Sequence, residues 1–245
     1  MRRGLALLVM LAASCSGGTG DAVPAAAAKG PAAEGAAATA GLTVVELFQS
    51  QGCSSCPPAN ANVNALVERP GILALSFAVT YWDYLGWKDK FAQPAFTARQ
   101  RAYARSSRSD GVYTPQVVIN GRRALVGANR ASLGRAITAE GPLRGGPAIA
   151  RDGNAVLVGA QAGAPAATVL VVTYDPRERR VPIRAGENNG KTLPHRNIVT
   201  DLREAGRWSG KAQRFALPAP ADPGLRTAVL LQRGDGGPIV AARRL

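Results

Sequence analysis

The run Cys53-Ser54-Ser55-Cys56, placed directly after the apolar residues Val44, Val45, Leu47 and Phe48, constrains this chain more than any other feature. Two thiols with two residues between them, at the start of a predicted helix, form the layout of an exchangeable dithiol. About sixty residues downstream, Thr114-Pro115 precedes a second apolar stretch, Gln116 to Asn120. The chain has 3 cysteines, and the third, Cys15, lies near its start. Cys53 and Cys56 are thus the one pair in the body of the chain. A framework of structural disulfides is not available, and the fold must rest on its own core.

The first residues read as a targeting segment. Arg2 and Arg3 form a charged start, and Leu5 to Ala13 is an apolar run too short to span a bilayer as a helix. Ala12-Ala13-Ser14-Cys15 has the form of a bacterial lipobox, so residues 1–15 are expected to be a signal peptide with Cys15 as the lipidation site and membrane anchor. Ordinary signal-peptide cleavage around Ala25 to Ala28 is the alternative, and Arg2-Arg3 also hints at twin-arginine export. Residues 16–41, rich in Ala, Gly and Pro, read as a flexible tether. An exported, periplasmic or cell-envelope location follows as the expectation, in an oxidising compartment.

The net charge is +14, carried mainly by arginine. Such a surface attracts anionic partners. The arginines are scattered, no recognition motif is present and aromatics do not interleave with basic runs, which argues against nucleic-acid binding.

Residues 42–143 are expected to form one domain. Leu42 to Phe48 and Ile72 to Val79 read as strands buried on both faces, Cys53 to Arg69 as a helix with Pro57 in its first turn, and Pro94 to Arg105 as a second helix. Gln116 to Asn120 and Arg123 to Gly127 predict a hairpin around Asn120-Gly121, and Asn129 caps a last short helix. Between strand and helix, Tyr81 to Phe91 is an aromatic insertion. Residues 144–245 predict a separate β-rich, sandwich-like module: Ala155 to Gly159, Thr168 to Tyr174, Val181 to Arg184, Arg214 to Leu217, Arg226 to Gln232 and Ile239 to Ala242 read as short strands. Asn197 to Ala205 fits helix or strand equally.

At a helix N-terminus, unpaired N–H groups favour a thiolate. Cys53 is expected there as the exposed attacking thiol, with Cys56 resolving the mixed disulfide. A static disulfide or a zinc half-site is the competing reading. Zinc needs about four ligands, whereas the chain has no second C-x-x-C and 1 histidine, His195. Copper(I) carriage lacks further soft ligands, since Met1 and Met10 both fall in the leader. No metal and no cofactor is implied. Glu46, in the first strand, is a candidate to move the proton of the resolving cysteine; alternatively it is satisfied by water or an arginine. Thr114-Pro115 is expected to be cis and to dock substrate through the Thr114 backbone. Trp82 and Trp87 are candidates for a substrate-binding surface, or else cover the insertion's own small core. His195, near the polar run Glu187-Asn188-Asn189-Gly190, reads as a surface or hydrogen-bonding residue.

The β-α-β-α-β-β-α order of residues 42–143 and the motifs Glu46 to Ala59, Tyr81 to Asp89 and Tyr113-Thr114-Pro115-Gln116 resemble a bacterial secreted family of unknown function placed among thioredoxin-like proteins. Gly186-Glu187-Asn188 and Leu193 to Asn197 resemble its C-terminal part. The resemblance spans about 42–245 and implies a thioredoxin-like fold of α/β class followed by a β-rich module; it implies no reaction. Gln49, Asn60, Lys90, Ala78 and Thr80 depart from the family pattern, the last two where histidine and aspartate are usual. The sequence thus predicts an exported thiol–disulfide oxidoreductase with a protein thiol or disulfide as partner, or an envelope binding or assembly module in which the disulfide has become structural.

Overall fold

The computed structural model describes residues 41–219 and 221–245. The predicted leader, the lipidation site Cys15 and residues 16–40 of the tether lie outside them. Among the described residues no helix is long and apolar enough to cross a membrane.

Strand β1 (Thr43–Gln49) is buried along its whole length and pairs in parallel with β2 (Ile72–Ala78) and antiparallel with β3 (Gln116–Ile119). The turn Asn120-Gly121, with φ of 51° and 64°, closes a hairpin from β3 to β4 (Arg123–Leu125). Positive φ at two successive residues is what a type I′ turn demands and Asn-Gly supplies. Helix α1 (Cys56–Asn64) follows β1, α2 (Pro94–Ser107) follows the aromatic insertion, and α3 (Arg130–Glu140) follows β4. Asn129 caps α3 by accepting the Ser132 N–H at 2.9 Å.

Alternation along the strands sorts the helices onto two faces. Val44 and Phe48 pack with Leu73, Leu75, Phe77 and the α2 residues Phe96 and Tyr103. Val45 and Leu47 pack with Ala59 and Val63 of α1 and Leu133 and Ile137 of α3. With both faces covered, β1 and β2 read as continuous apolar runs.

The second half of the chain does not stand apart. It supplies β5 (Ile149–Asp152), β6 (Ala155–Val158), β7 (Ala167–Asp175), β8 (Arg179–Pro182), β9 (Thr192–His195), β10 (Ile198–Trp208), β11 (Gln213–Ala216), β12 (Arg226–Gln232) and β13 (Ile239–Arg244). Four of these extend the first-half sheet, giving the order β13-β12-β7-β10-β2-β1-β3-β4. The junction is a short parallel pairing of Ile198 with Ser76, reinforced by Asn197 Nδ2 donating to the Ala74 carbonyl at 2.7 Å. A boundary at 143/144 therefore divides one eight-stranded sheet, and the described residues belong to one compact unit. The sandwich-like element is smaller than expected: β11-β6-β5 form a three-stranded sheet whose Ile149, Val156, Val158 and Phe215 pack on Val169, Val171, Val229 and Leu231 of the large sheet. The architecture is mixed α/β and dominated by its sheets.

The hairpin of β8 and β9 packs elsewhere. Its Val181 and Leu193, with Ile183, meet Trp87 and Phe91 of the aromatic insertion. That contact brings second-half residues over the end of β1, where the two cysteines lie.

Candidate functional site

Cys53 and Cys56 are joined in a disulfide with a Cα–Cα distance of 5.5 Å. The chain leaves β1 at Gln49 and turns through Ser50 and Gly52, with Ser50 Oγ accepting the Gly52 N–H at 3.0 Å. The Cys53 N–H then bonds the Ser50 carbonyl at 3.2 Å. Helix α1 begins at Cys56, with Ser55 as its N-cap and prolines in its first turn. Cys53 thus lies in the turn before the helix, not on it. The helix ends at Asn64, and residues 65–68 continue only as turns.

Cys53 was expected to be exposed. It is fully buried, as is Cys56, while Ser54 and Ser55 between them face solvent. The cover comes from the loop after β8. Asn188, itself fully buried, donates through Nδ2 to the carbonyls of Gln51 at 2.9 Å and Cys53 at 2.8 Å. Glu187 Oε2 accepts the Ser54 N–H at 2.9 Å, and this bond holds the exposed carboxyl below its usual range. The polar run Glu187-Asn188-Asn189-Gly190 is therefore part of the site, a role its composition did not reveal.

The Thr114-Pro115 peptide bond is cis. Its loop faces the cysteine turn: Ser55 Oγ donates to the Thr114 carbonyl at 3.4 Å. Trp82 links the same two segments. Its indole N–H donates to Thr114 Oγ1 at 2.7 Å, and its Cβ lies against Gly52, where an added methyl would meet it at 3.4 Å. Trp87 donates to Gln51 Oε1 at 2.9 Å. Both indole N–H groups are thus engaged within the protein, and both rings are only partly exposed. Tyr84, at the tip of the insertion, is 80% exposed.

Asp89 is the residue of the insertion that sequence reading passed over. Its carboxylate, almost fully buried, accepts the N–H groups of Gln51 and Phe91, both at 2.9 Å. Burial raises it to about 6. Glu46, by contrast, does not lie beneath the disulfide. It shares the parity of Val44 and Phe48 and faces α2, on the side of the sheet away from α1. There Arg99 grips it in a fork, Nε to Oε1 at 2.8 Å and Nη2 to Oε2 at 3.1 Å, and the Tyr103 hydroxyl donates to Oε2. Its partner is an arginine, and the proton-transfer role expected of it has no geometric basis.

His195, at the end of β9, is buried, not on the surface. Asn60 of α1 donates through Nδ2 to its Nδ1 at 3.3 Å and to Gln49 Oε1 at 3.5 Å. The Phe91 ring stacks edge-on against the imidazole at 5.8 Å. Burial, with the charge of Lys90 adding to it, lowers His195 to about 4, so the imidazole is neutral near pH 7. Among the described residues, no three His, Cys, Asp or Glu side chains gather as a metal site.

A family model described as a protein of unknown function, DUF1223, matches residues 44–232. The crystal structure of protein AGR_C_4864 from Agrobacterium tumefaciens is similar to this chain at 36% identity, with a TM-score of 0.68 over 83% of this chain and 93% of that one. HBP35 of Porphyromonas gingivalis is similar in fold alone, at 11% identity and a TM-score of 0.53, over 84% and 75% of the two chains. No curated protein matches. The family match runs from β1 through β12 and so takes in the disulfide, the cis proline and the Asn188 cover: the chain belongs to the DUF1223 family.

Proposed function

We propose that this protein is an exported thiol–disulfide oxidoreductase built on a thioredoxin-like domain, with a protein thiol or disulfide as partner. The observation that carries this reading is the Cys53–Cys56 disulfide facing a cis Thr114-Pro115 loop, with Ser55 Oγ reaching the Thr114 carbonyl. The order of elements from β1 to α3, with α1 and α3 on one face and α2 on the other, supports the thioredoxin-like assignment. Cys53 is the attacking thiol and Cys56 the resolving one, and Thr114-Pro115 docks the substrate segment. Export by residues 1–15 and anchoring at Cys15 belong to the same proposal. The test is exchange activity of the full chain on a small disulfide and a reduced protein: Cys53→Ser abolishes it if the reading is right, and unchanged activity removes the reading.

A second reading has its own observation. Both cysteines are buried, and Asn188 and Glu187 tie down the turn that carries them. A disulfide closed in this way fits a binding or assembly module in which it braces the loop. That reading predicts that Cys53→Ser lowers stability and leaves partner binding intact.

A further inference from the structure

Three arginines at one end of the large sheet form a group of their own. Arg122 follows the Asn120-Gly121 turn of the β3–β4 hairpin, Arg144 lies between α3 and β5, and Arg233 follows β12. They line one cleft of about 90 Å³, with Pro147, Trp208 and Val240 also in its wall. Among the described residues no aspartate or glutamate lines it, and none of the three arginines has an ion-pair partner. The acids of the neighbouring segments are engaged elsewhere. Asp235, two residues past Arg233, pairs with Arg105 at 2.7 Å, and Glu140 pairs with Arg123 at 2.9 Å.

The cleft is held by its backbone. The Ile239 N–H donates to the Asn120 carbonyl at 2.9 Å, and a methyl added to Gly121 would clash with the Gly237 carbonyl. Gln161 Nε2 donates to the Gly145 carbonyl at 2.8 Å, and a methyl added to Gly146 would overlap the Val240 carbonyl. Three segments distant in sequence are thereby fixed together, and each brings a cation to one place. Gathering like charges costs free energy, which a bound anion recovers. The planar guanidinium matches phosphate oxygens two at a time.

The position of the cleft points to the source of that phosphate. Strand β1 has 7 residues, and the cysteine turn follows its end. The cleft lies at its start, where the Val44 N–H donates to Asn120 Oδ1 at 2.9 Å. A strand of that length puts roughly 20 Å between the cleft and the disulfide. The chain also enters the fold beside the cleft. The Leu143 N–H, next to Arg144, donates to the Leu42 carbonyl at 3.0 Å, and Gly41 lies against the Leu143 carbonyl. Residues 16–40 join that point to Cys15. A flexible tether limits distance and sets no orientation; arginines beside the point of entry supply one.

We propose that Arg122, Arg144 and Arg233 form a site for the phosphodiester of an anionic lipid headgroup, which turns the start of β1 to the membrane and the disulfide away from it. The choice of a lipid rests on the anchoring at Cys15 proposed above and is independent of the dithiol chemistry. Each arginine held near an anionic surface strengthens binding about fivefold.

The test is phenylglyoxal footprinting of full-length protein, with modified arginines mapped by mass. Phosphatidylglycerol vesicles are expected to slow modification of Arg122, Arg144 and Arg233 about fivefold or more. Arg130, at the start of α3, and Arg184, in the loop that covers the disulfide, are both exposed and are expected to slow less than about twofold. Phosphatidylcholine vesicles, and dissolved glycerol phosphate or inorganic phosphate at equal phosphate concentration, are expected to protect the three less than about twofold. Equal protection of all five arginines, or protection of none, overturns the proposal. Protection by dissolved phosphate without protection by vesicles marks a free-anion site and overturns the lipid assignment. Vesicle sedimentation gives a second readout. Arg122→Gln/Arg144→Gln/Arg233→Gln is expected to weaken binding to phosphatidylglycerol about tenfold or more, and the equal-charge control Lys88→Gln/Arg130→Gln/Arg184→Gln less than about threefold. Equal loss in the two marks overall charge alone and overturns the site. The mass of Cys15 in protein from cell envelopes reads the anchor separately: an unacylated Cys15 removes the anchoring reading and leaves the footprint to decide the site.

Discussion

Asn188 donates a hydrogen bond to the carbonyl of Cys53, across 135 residues of sequence, at 2.8 Å. A side chain from the second half of the chain thus closes the turn that holds the disulfide in the first. The same amide also satisfies the Gln51 carbonyl, and Lys191 Nζ holds its Oδ1 at 2.9 Å. Replacing Asn188 by alanine leaves the buried Gln51 carbonyl without a donor and the Cys53 carbonyl with the Cys56 N–H alone, and is expected to cost about 1–3 kcal/mol. It also uncovers Cys53. Reduction of the disulfide by a water-soluble phosphine is expected to accelerate about tenfold or more, which thiol counting against time measures.

Glu46 and Arg99 make the second long-range tie. Both are buried, and Arg99 Nη1 also reaches Gln232 Oε1 of β12 at 2.9 Å, so one guanidinium joins β1, α2 and β12. Removing one member of a buried pair leaves an uncompensated charge. Arg99→Met is expected to lose about 3–5 kcal/mol in urea unfolding. Because Glu46 faces away from α1, Glu46→Gln is expected to change the exchange rate of the folded protein less than twofold.

Asp89 and His195 give opposite contributions to the pH dependence of stability. Asp89 is raised from 3.8 to about 6, so the folded state holds its proton more tightly than the unfolded one; its contribution is full at low pH and is lost as pH rises through about 6. His195 is lowered from 6.5 to about 4, so the unfolded state holds its proton more tightly; its contribution is full above about 6.5 and is lost as pH falls through about 4. Each shift is about two pH units, or about 3 kcal/mol. In the wild type the two largely cancel between about pH 4 and 6.5. Asp89→Asn is expected to leave stability rising with pH across that window, and His195→Gln to leave it falling, as urea midpoints at several pH values measure.

Much of the first half was legible because each signal was local. Asn120-Gly121 specified its turn, Asn129 its cap, and the unbroken apolar runs of β1 and β2 announced cover on both faces. The Cys53–Cys56 pair and the cis bond at Thr114-Pro115 followed from residue identity and order. What was hidden depended on distant partners. Strand periodicity puts Glu46 in the core but does not say which face it meets, and Arg99 lies 53 residues away. The boundary at 143/144 looked like a change of domain because strand spacing changes there, yet Ile198 pairs with Ser76 and carries the sheet across it. Thr192–His195 contains Pro194 and few β-branched residues, so β9 gave no strand signal; its pairing with β8 and packing on Trp87 and Phe91 hold it extended. The burial of Cys53 could not be read locally, since Asn188 covers it from the other half.

The reduction potential of the Cys53–Cys56 pair tests the central claim most directly. Full-length protein is equilibrated with defined thiol–disulfide buffers, and free thiols are counted by alkylation and mass. The oxidoreductase reading predicts a reversible two-electron transition between about −120 and −270 mV, the span of known exchange catalysts. A pair that stays oxidised below about −300 mV behaves as a structural disulfide and contradicts the reading.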